Sequence, residues 1–141
     1  MSNSIIRQSY VIPADDFSLA GEASSSVKKM LNQLGVPPQT VKKVAIAMYE
    51  AEINAVIHAG GGTADVEIGD GKILVVISDE GPGIPDLELA MQEGYSTAPD
   101  SIREMGFGAG MGLPNIKRYA DKLDIKTEVG KGTSVEITVF L

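Results

Sequence analysis

The chain has 141 residues, of which 43% are hydrophobic, and carries a formal net charge of −7, which together predict one globular domain spanning residues 1–141. The negative charge disfavours nucleic acid as a partner, and zero cysteines with a single histidine exclude disulfides and thiolate or histidine-cluster metal sites. No apolar run approaches the roughly 18 residues of a membrane span and the N-terminus lacks a secretion signal, so we expect a cytoplasmic protein independent of membranes.

The first predicted elements are a strand and an amphipathic helix. Residues 5–12 form the strand, whose poor alternation is typical of an edge or subunit-contact strand and is compatible with a homodimer. Asp15 and Asp16 are N-cap candidates for a helix that continues through Leu34 and is terminated by Gly35. The apolar stripe of this helix predicts that it packs on the core.

A second helix, predicted over residues 41–59 and opened by Thr40, is apolar nearly all round. It carries one polar stripe, formed by Glu50, Asn54 and His58 at i, i+4 and i+8, which lie in one narrow arc of its surface. Buried polar groups need partners, because an unpaired one costs roughly 2 to 7 kcal/mol. The polar stripe is therefore either a structural network with a neighbouring loop or the lining of a site.

The remainder of the chain predicts two hairpins separated by a helical and glycine-rich segment. The first hairpin turns at residues 69–71, and the continuously apolar run 73–77 indicates a central strand covered on both faces or nearly so. The sheet would be mixed or antiparallel, with helices on one face, in an α+β two-layer sandwich. The other predicted elements are a short helix at 86–93, a mobile loop at 94–112 that closes over a ligand, a helix from Leu113 or Pro114 to Lys122, and strands at 124–129 and 133–140.

Alternating glycines precede the last predicted helix, at Gly106, Gly108, Gly110 and Gly112. Residues without a Cβ let backbone N–H groups converge on an anion, and the helix N-terminus adds the positive end of its dipole, so phosphate suits this loop. The alternative is a glycine-rich surface loop that binds nothing. The spacing matches neither a P-loop nor a Rossmann fingerprint.

A second glycine pair follows the predicted central strand. Asp79 at the end of that strand precedes Gly81 and Gly83, so a carboxylate acceptor lies where the backbone can approach a flat ring closely. Adenine presents an exocyclic amine to such an acceptor. The alternative is an Asx-type turn, in which Asp79 only bonds its own backbone two or three residues on.

Four motifs follow one another in order along the chain. They are Glu50-x-x-x-Asn54-x-x-x-His58, Asp79-x-Gly81-x-Gly83, the series ending Gly108-x-Gly110-x-Gly112-Leu113, and Gly132-Thr133. In order and spacing they resemble the N, G1, G2 and G3 boxes of the ATPase superfamily that unites gyrase, Hsp90, histidine kinases and MutL. The likeness covers roughly residue 40 to the end, and it implies the Bergerat type of α+β sandwich, with a mixed sheet, helices on one face and a mobile ATP lid at about residues 94–112.

Within this superfamily the chain is similar to the small bacterial serine/threonine kinases of partner-switching pathways, namely the anti-sigma-factor kinases and the stressosome switch kinases. The similarity lies in its length and in the Glu-x-x-x-Asn-x-x-x-His form, and segments 94–97 and 108–118 favour the switch-kinase side. The chain shows no dimerisation helix pair with a phosphoacceptor histidine, no transducer domain and no separate phenylalanine box. Neither a self-contained histidine kinase nor ATP-driven strand passage is therefore expected.

The resemblance implies a role for each motif residue. Glu50 would orient and deprotonate the attacking hydroxyl, Asn54 would bind Mg²⁺, and Asp79 would accept the adenine amine. Thr133 would hold a bridging water or the ring edge, and His58 would support the ribose, the phosphates or the helix end. The other nucleotide contacts would come from Gly81, Gly83, Ile84, Gly108, Gly110, Met111, Gly112 and Leu113, with Arg103 or Lys117 as candidate charge partners.

The function implied by the resemblance is that of an ATP- and Mg²⁺-dependent protein serine/threonine kinase. Its substrate would be a Ser or Thr of a small STAS-type anti-sigma-antagonist protein, and its other partner a sigma factor or a regulator of a PP2C-type phosphatase. The first alternative is an ATP-responsive anti-sigma or phosphatase-activating module that binds without transferring phosphate. The second is a structural domain that binds no nucleotide.

Overall fold

The computed structural model of the chain describes residues 5–12, 21–59, 61–81 and 112–141. The predicted helix at 86–93 and the predicted lid as far as residue 111 lie outside these ranges. The described elements, in chain order, are β1 (Ile6–Ile12), α1 (Glu22–Gln33), α2 (Pro38–Ala59), β2 (Gly62–Gly69), β3 (Lys72–Asp79), α3 (Gly112–Tyr119), β4 (Lys122–Glu128) and β5 (Gly132–Phe140).

The five described strands form one sheet in the order β1-β2-β3-β5-β4, and every neighbouring pair is antiparallel. The predicted α+β sandwich is confirmed, and of the mixed or antiparallel sheet that the sequence allowed the described strands form the antiparallel one, so the mixed sheet implied by the resemblance is wrong. Two helices connect β1 to β2. Together they bring the chain back to the end of β1, where Gly62 pairs with Ile12, so β2 runs opposite to β1. The central position predicted for β3 is confirmed.

The core lies between one face of this sheet and the three described helices. Residues alternate along β3, with Ile73, Val75 and Ile77 buried and Leu74 and Val76 only half-buried on the other face. The apolar run 73–77 therefore marks a strand with neighbours on both edges, and the described helices cover one of its faces. None of the helices in the described ranges combines the length and the apolar character that a membrane crossing needs.

The first helix is shorter than its sequence predicts. It begins at Glu22 instead of at Asp15 or Asp16, because Gly21 occupies the N-cap position in a left-handed conformation, with φ of 96°. Its end agrees with the prediction, since Gly35 is left-handed with φ of 78° and the N–H groups after the helix bond back to carbonyls of its last turn. Residues 13–20 are not among the described ones.

The second helix is longer than predicted. It begins at Pro38, where proline is tolerated because the first N–H groups of a helix have no partner within it. The carbonyl of Pro37 accepts the first helical hydrogen bond, at 3.0 Å. The helix ends at Ala59, and Gly61 follows in a left-handed conformation with φ of 104°. The end at residue 59 agrees with the prediction, and Gly62 already belongs to β2.

The hairpin between β2 and β3 has the predicted turn. Asp70 and Gly71 both have positive φ, at 52° and 75°, which is the type I′ geometry that suits the twist of two-residue hairpins. The third helix differs at both ends, since it begins at Gly112 and ends at Tyr119 instead of at Lys122. The helix ends before Lys122 because Lys122 is the first residue of β4.

Asp121, which lies between α3 and β4, binds residues of α2 and β5. Its Oδ1 lies 2.5 Å from Nζ of Lys43 on α2, and its Oδ2 accepts the N–H of Phe140 on β5 at 2.7 Å. The hydrogen bond from Lys43, followed by that from the Phe140 amide, holds the pKa of the Asp121 carboxyl below its ordinary value.

The Asp121→Asn variant should lose about 1 kcal/mol of unfolding free energy at neutral pH, as expected for a partly exposed charge-assisted contact. Because the folded-state pKa is lowered, this contribution is fully present above the unfolded pKa of about 4 and disappears as pH falls through the folded one. Urea unfolding at a series of pH values should show the difference shrinking on acidification. The exposed Asp124→Asn variant serves as control, and a difference that persists unchanged in acid would contradict the assignment.

Candidate functional site

The topology brings motif residues together at one end of the sheet. Asp79, the last residue of β3, pairs in register with Thr133 near the start of β5. The connection from α2 to β2 lies at the same end. Gly62, the first residue of β2, is so close to the end of β3 that a Cβ on it would overlap the carbonyl oxygen of Ser78. The C-terminal end of α2 therefore lies beside Asp79.

Two contacts set the direction of α3 against α2. Nδ2 of Asn115 donates to Oε1 of Glu50 at 3.4 Å, and about two helical turns away Lys43 pairs with Asp121, just after α3. The order of these contacts is reversed between the two segments, so α2 and α3 run antiparallel. The N-terminus of α3, at Gly112, consequently lies next to the half of α2 that carries the polar stripe.

The polar stripe is partly enclosed. Glu50 and Asn54, one turn apart on α2, are both half-buried, and Glu50 is bonded by Asn115. Burial raises the pKa of the Glu50 carboxyl, and the hydrogen bond from Asn115 partly offsets that rise. A carboxylate with a raised pKa is a stronger proton acceptor than an exposed glutamate. His58 follows on α2 as predicted, but its side chain is outside what the structure describes.

Asp79 is held by two backbone donors. Its Oδ1 accepts the N–H of Gly81 at 2.9 Å and the N–H of Thr133 at 3.2 Å. The first bond is the Asx-type turn that the sequence allowed as an alternative, and the second ties the carboxylate to β5. Both bonds use Oδ1, so neither of them engages Oδ2, the second acceptor oxygen of the carboxylate.

The start of β5 is packed against the end of β3. Gly132 has φ of 138°, and a Cβ on it would overlap the carbonyl oxygen of Asp79. The next residue, Thr133, places its hydroxyl 2.9 Å from that of Thr127 on β4. A larger residue at position 132 would therefore separate the two strands where Asp79 is held.

Of the other predicted site residues, three lie on α3 and the rest lie outside the described ranges. Gly112 begins α3, and Leu113 is half-buried against the core. Lys117 is exposed on the same helix. The predicted residues outside the described ranges are Gly83, Ile84, Arg103, Gly108, Gly110 and Met111.

The structure contains a buried carboxylate, Glu52, that the sequence motifs do not single out. Glu52 has 1% of its surface exposed, and its Oε2 accepts N–H groups of Gly21 and Ala23, at 2.9 and 3.2 Å. Its Oε1 accepts the N–H of Ser24 at 2.9 Å. Because Glu52 lies two residues after Glu50, it projects from nearly the opposite side of α2. One face of α2 thus contributes to the candidate site while the other caps the first turn of α1.

The sequence contained a signal for Glu52 but none for Asn115. A charged residue on the apolar face shared by Met48, Ala55 and Val56 must find partners once that face is buried. Asn115 contacts Glu50, which lies 65 residues earlier in the chain, so only the packing of α3 on α2 reveals the pair.

Comparison with known proteins gives a consistent assignment. Residues 12–139 match the family described as histidine kinase-like ATPase domain. The chain is 30% identical over 118 residues to the serine/threonine-protein kinase RsbT of Bacillus subtilis, a match that covers 81% of this chain and 83% of RsbT. It is 33% identical over 124 residues to the anti-sigma F factor of Caldanaerobacter subterraneus subsp. tengcongensis, with 84% and 83% covered.

A solved structure shares the fold. The RsbU and RsbW domains of Rv1364c from Mycobacterium tuberculosis superpose with a TM-score of 0.64 at 15% identity, covering 98% of this chain. The chain spans 32% of the length of that structure. From the family match and the two relatives, the chain belongs to the histidine kinase-like ATPase family, in the branch that contains RsbT and the anti-sigma F factors.

Proposed function

We propose that this protein is an ATP-dependent protein serine/threonine kinase of the partner-switching type, which phosphorylates a Ser or Thr of a small STAS-type anti-sigma-antagonist protein. The observation that supports it most is the half-buried Glu50 one turn before Asn54, on the helix whose C-terminal end lies beside Asp79. Two relatives agree with it, since one is named a serine/threonine-protein kinase and the other an anti-sigma F factor. A sigma factor or a PP2C-type phosphatase regulator would be the second partner.

The adenine end of ATP fits Asp79. A carboxylate whose Oδ1 is fixed by two backbone N–H groups presents Oδ2 in a defined direction, as recognition of an exocyclic amine requires. Thr133 would lie at the ring edge, and Gly81 and Gly83 would let the ring approach the backbone. Ile84 would contribute an apolar contact to the ring.

The phosphate end fits the N-terminus of α3. Gly112 and Leu113 supply first-turn N–H groups beside the polar stripe, and such groups favour an anion. The preceding residues Gly108, Gly110 and Met111 would extend this contact, as part of a lid at about residues 94–112. His58 would support the ribose, the phosphates or the end of α2.

A magnesium site here would need oxygen atoms from the nucleotide. In the described ranges no three His, Cys, Asp or Glu side chains cluster so as to hold a metal ion. The amide oxygen of Asn54 is a ligand that Mg²⁺ accepts, so Asn54 would hold the ion together with oxygen atoms of the nucleotide. Bound Mg²⁺ would neutralise phosphate charge during transfer.

Glu50 would act as the general base. As the hydroxyl oxygen of the partner's Ser or Thr forms a bond to the γ-phosphorus, the bond to the leaving ADP oxygen breaks and Glu50 accepts the hydroxyl proton. Burial, which raises the pKa of this carboxyl, makes it a better proton acceptor.

The proposal is tested by incubating the protein with [γ-³²P]ATP, Mg²⁺ and a STAS-type protein whose Ser and Thr residues are available. Covalent label on a Ser or Thr of the partner is the expected result. A nucleotide-dependent complex without label on the partner would overturn the kinase proposal in favour of a binding module. No nucleotide binding at all would indicate a structural domain.

Asp79→Asn separates nucleotide recognition from structure. The asparagine Oδ1 can still accept the N–H groups of Gly81 and Thr133, but an NH₂ group replaces Oδ2 and would face the adenine amine as donor against donor. We expect ATP affinity to fall about 10- to 100-fold, the loss of one hydrogen bond to a charged group. Isothermal titration with ATP measures this loss.

GTP provides the internal control for Asp79→Asn, because guanine carries an oxygen where adenine carries the amine. Binding of GTP should not weaken in the variant, and the midpoint of thermal unfolding should change little. Unchanged ATP affinity would show that Asp79 does not bind adenine.

A further inference from the structure

We propose that Asn115 is a positioning residue for Glu50: its side-chain amide holds one carboxylate oxygen so that the other faces the hydroxyl of the acceptor. Asn115 does this from the helix whose N-terminus would bind the phosphates. The inference deepens the proposed function and rests on it.

The contact has the geometry that this role requires. Nδ2 of Asn115 donates to Oε1 of Glu50, which leaves Oε2 free of this contact. The separation of 3.4 Å is long for a hydrogen bond to a carboxylate, as catalytic hydrogen bonds often are before substrate is bound. Both side chains are half-buried, so solvent competes only partly for the amide.

The backbone on which Asn115 sits is fixed on both sides. The preceding residue, Pro114, restrains its own φ in the first helical turn, where a missing N–H costs no helical bond. The following residue, Ile116, is fully buried in the core. Beyond the end of α3, Asp121 is clamped to Lys43 of α2. An amide held in this way can orient its partner, whereas an exposed asparagine on a free helix could not.

Asn115 is close in sequence to the residues of α3 that would bind the phosphates of ATP. Asn115 is three residues after Gly112, within the first turn of α3. The residue that holds Glu50 and the first-turn N–H groups that would bind phosphate therefore lie on the same turn of α3.

Asn115 also acts on the charge of Glu50. Burial raises the pKa of Glu50, and the Asn115 hydrogen bond is the contribution from the described residues that opposes it. Lys43 lies on the same face of α2 but pairs with Asp121, and Lys117 and Arg118 of α3 are exposed. His58 is the other titratable residue of the polar stripe.

Single-turnover transfer from labelled ATP to the STAS-type partner, measured against pH at saturating ATP, tests the inference. In Asn115→Ala the acid limb of the profile should move to higher pH, with a rate about tenfold lower on that limb for each pH unit of displacement. Asn115→Asp should displace it further, because a second carboxylate disfavours ionisation of Glu50. The matched control is Asn32→Ala at an exposed position of α1, which should leave the profile unchanged.

If Asn115 had only a structural role, its removal would lower the rate by the same factor at every pH or would weaken ATP binding. Either result, without displacement of the acid limb, would overturn the inference. If the wild-type protein transfers no phosphate, the proposed function fails instead. The pairing is then tested by the ¹³C NMR titration of the Glu50 carboxyl. Its midpoint should rise in Asn115→Ala, and an unchanged midpoint would overturn the inference.

Discussion

Glu50→Gln is expected to abolish phosphate transfer to the partner protein while ATP still binds. The amide keeps the size of the carboxylate and can still accept the hydrogen bond from Asn115, but it cannot take a proton from the attacking hydroxyl. Removal of a general base typically costs about 10²- to 10⁴-fold in rate. Single-turnover transfer and ATP titration on the same preparation measure the two properties.

The same variant should be more stable than the wild type at neutral pH. Burial raises the pKa of Glu50 in the folded state, so the ionised carboxylate opposes folding above that raised pKa. This cost disappears as pH falls below the ordinary glutamate pKa of about 4.3, where the group is protonated in both states. Urea unfolding should therefore show a gain for Glu50→Gln at pH 7 that vanishes in acid.

This gain separates lost chemistry from lost structure, because an inactive variant that is also more stable has not misfolded. Glu128→Gln, at an exposed position on β4, is the matched control and should change neither transfer nor stability appreciably. If Glu50→Gln retains full transfer, or loses ATP binding instead, Glu50 is not the base.

Glu52→Ala is expected to be the most destabilising of the substitutions considered, by about 3 to 5 kcal/mol. The carboxylate accepts three N–H groups at the start of α1, two of which belong to the buried residues Ala23 and Ser24. Its removal leaves those donors without an acceptor and opens a cavity between α1 and α2. Since domains of this size have roughly 5 to 15 kcal/mol of stability, the loss is large.

Two measurements identify this cause. Urea unfolding gives the loss of free energy, and amide hydrogen exchange should accelerate at Gly21, Ala23 and Ser24 beyond the global change. Glu52→Gln keeps one acceptor oxygen and should lie between alanine and the wild type, whereas Glu67→Ala, which breaks an exposed pair with Arg7, should cost no more than about 1 kcal/mol. A loss in Glu52→Ala as small as in Glu67→Ala would contradict the capping role.

Local rules predicted most of the fold. The hairpin turn at residues 69–71 and the helix stop at Gly35 follow from local sequence, and the structure has positive φ at Asp70, Gly71 and Gly35. The start of α1 was mispredicted because its cap is supplied by Glu52 from another helix, which no local pattern around Asp15 or Asp16 could reveal. The antiparallel pairing of β1 with β2 likewise depends on the path of the chain through α1 and α2.

The candidate site was predictable in its parts but not in its contacts. Helical spacing alone placed Glu50 and Asn54 in one arc, and the strand pattern placed Asp79 at a strand end. The pairing of Asp79 with Thr133 depends on the strand order, in which β5 enters the sheet between β3 and β4. The approach of Asn115 to Glu50 depends on the packing of α3, which its short sequence does not specify.

A crystal structure with Mg²⁺ and a non-hydrolysable ATP analogue shows whether Asp79, Asn54 and Glu50 bind one nucleotide together. The adenine amine should lie within hydrogen-bonding distance of Oδ2 of Asp79, the metal should be bound by Asn54, and the γ-phosphate should lie beside Glu50. A nucleotide bound elsewhere on the protein, or a crevice at this end of the sheet filled by the protein's own side chains, would contradict the account.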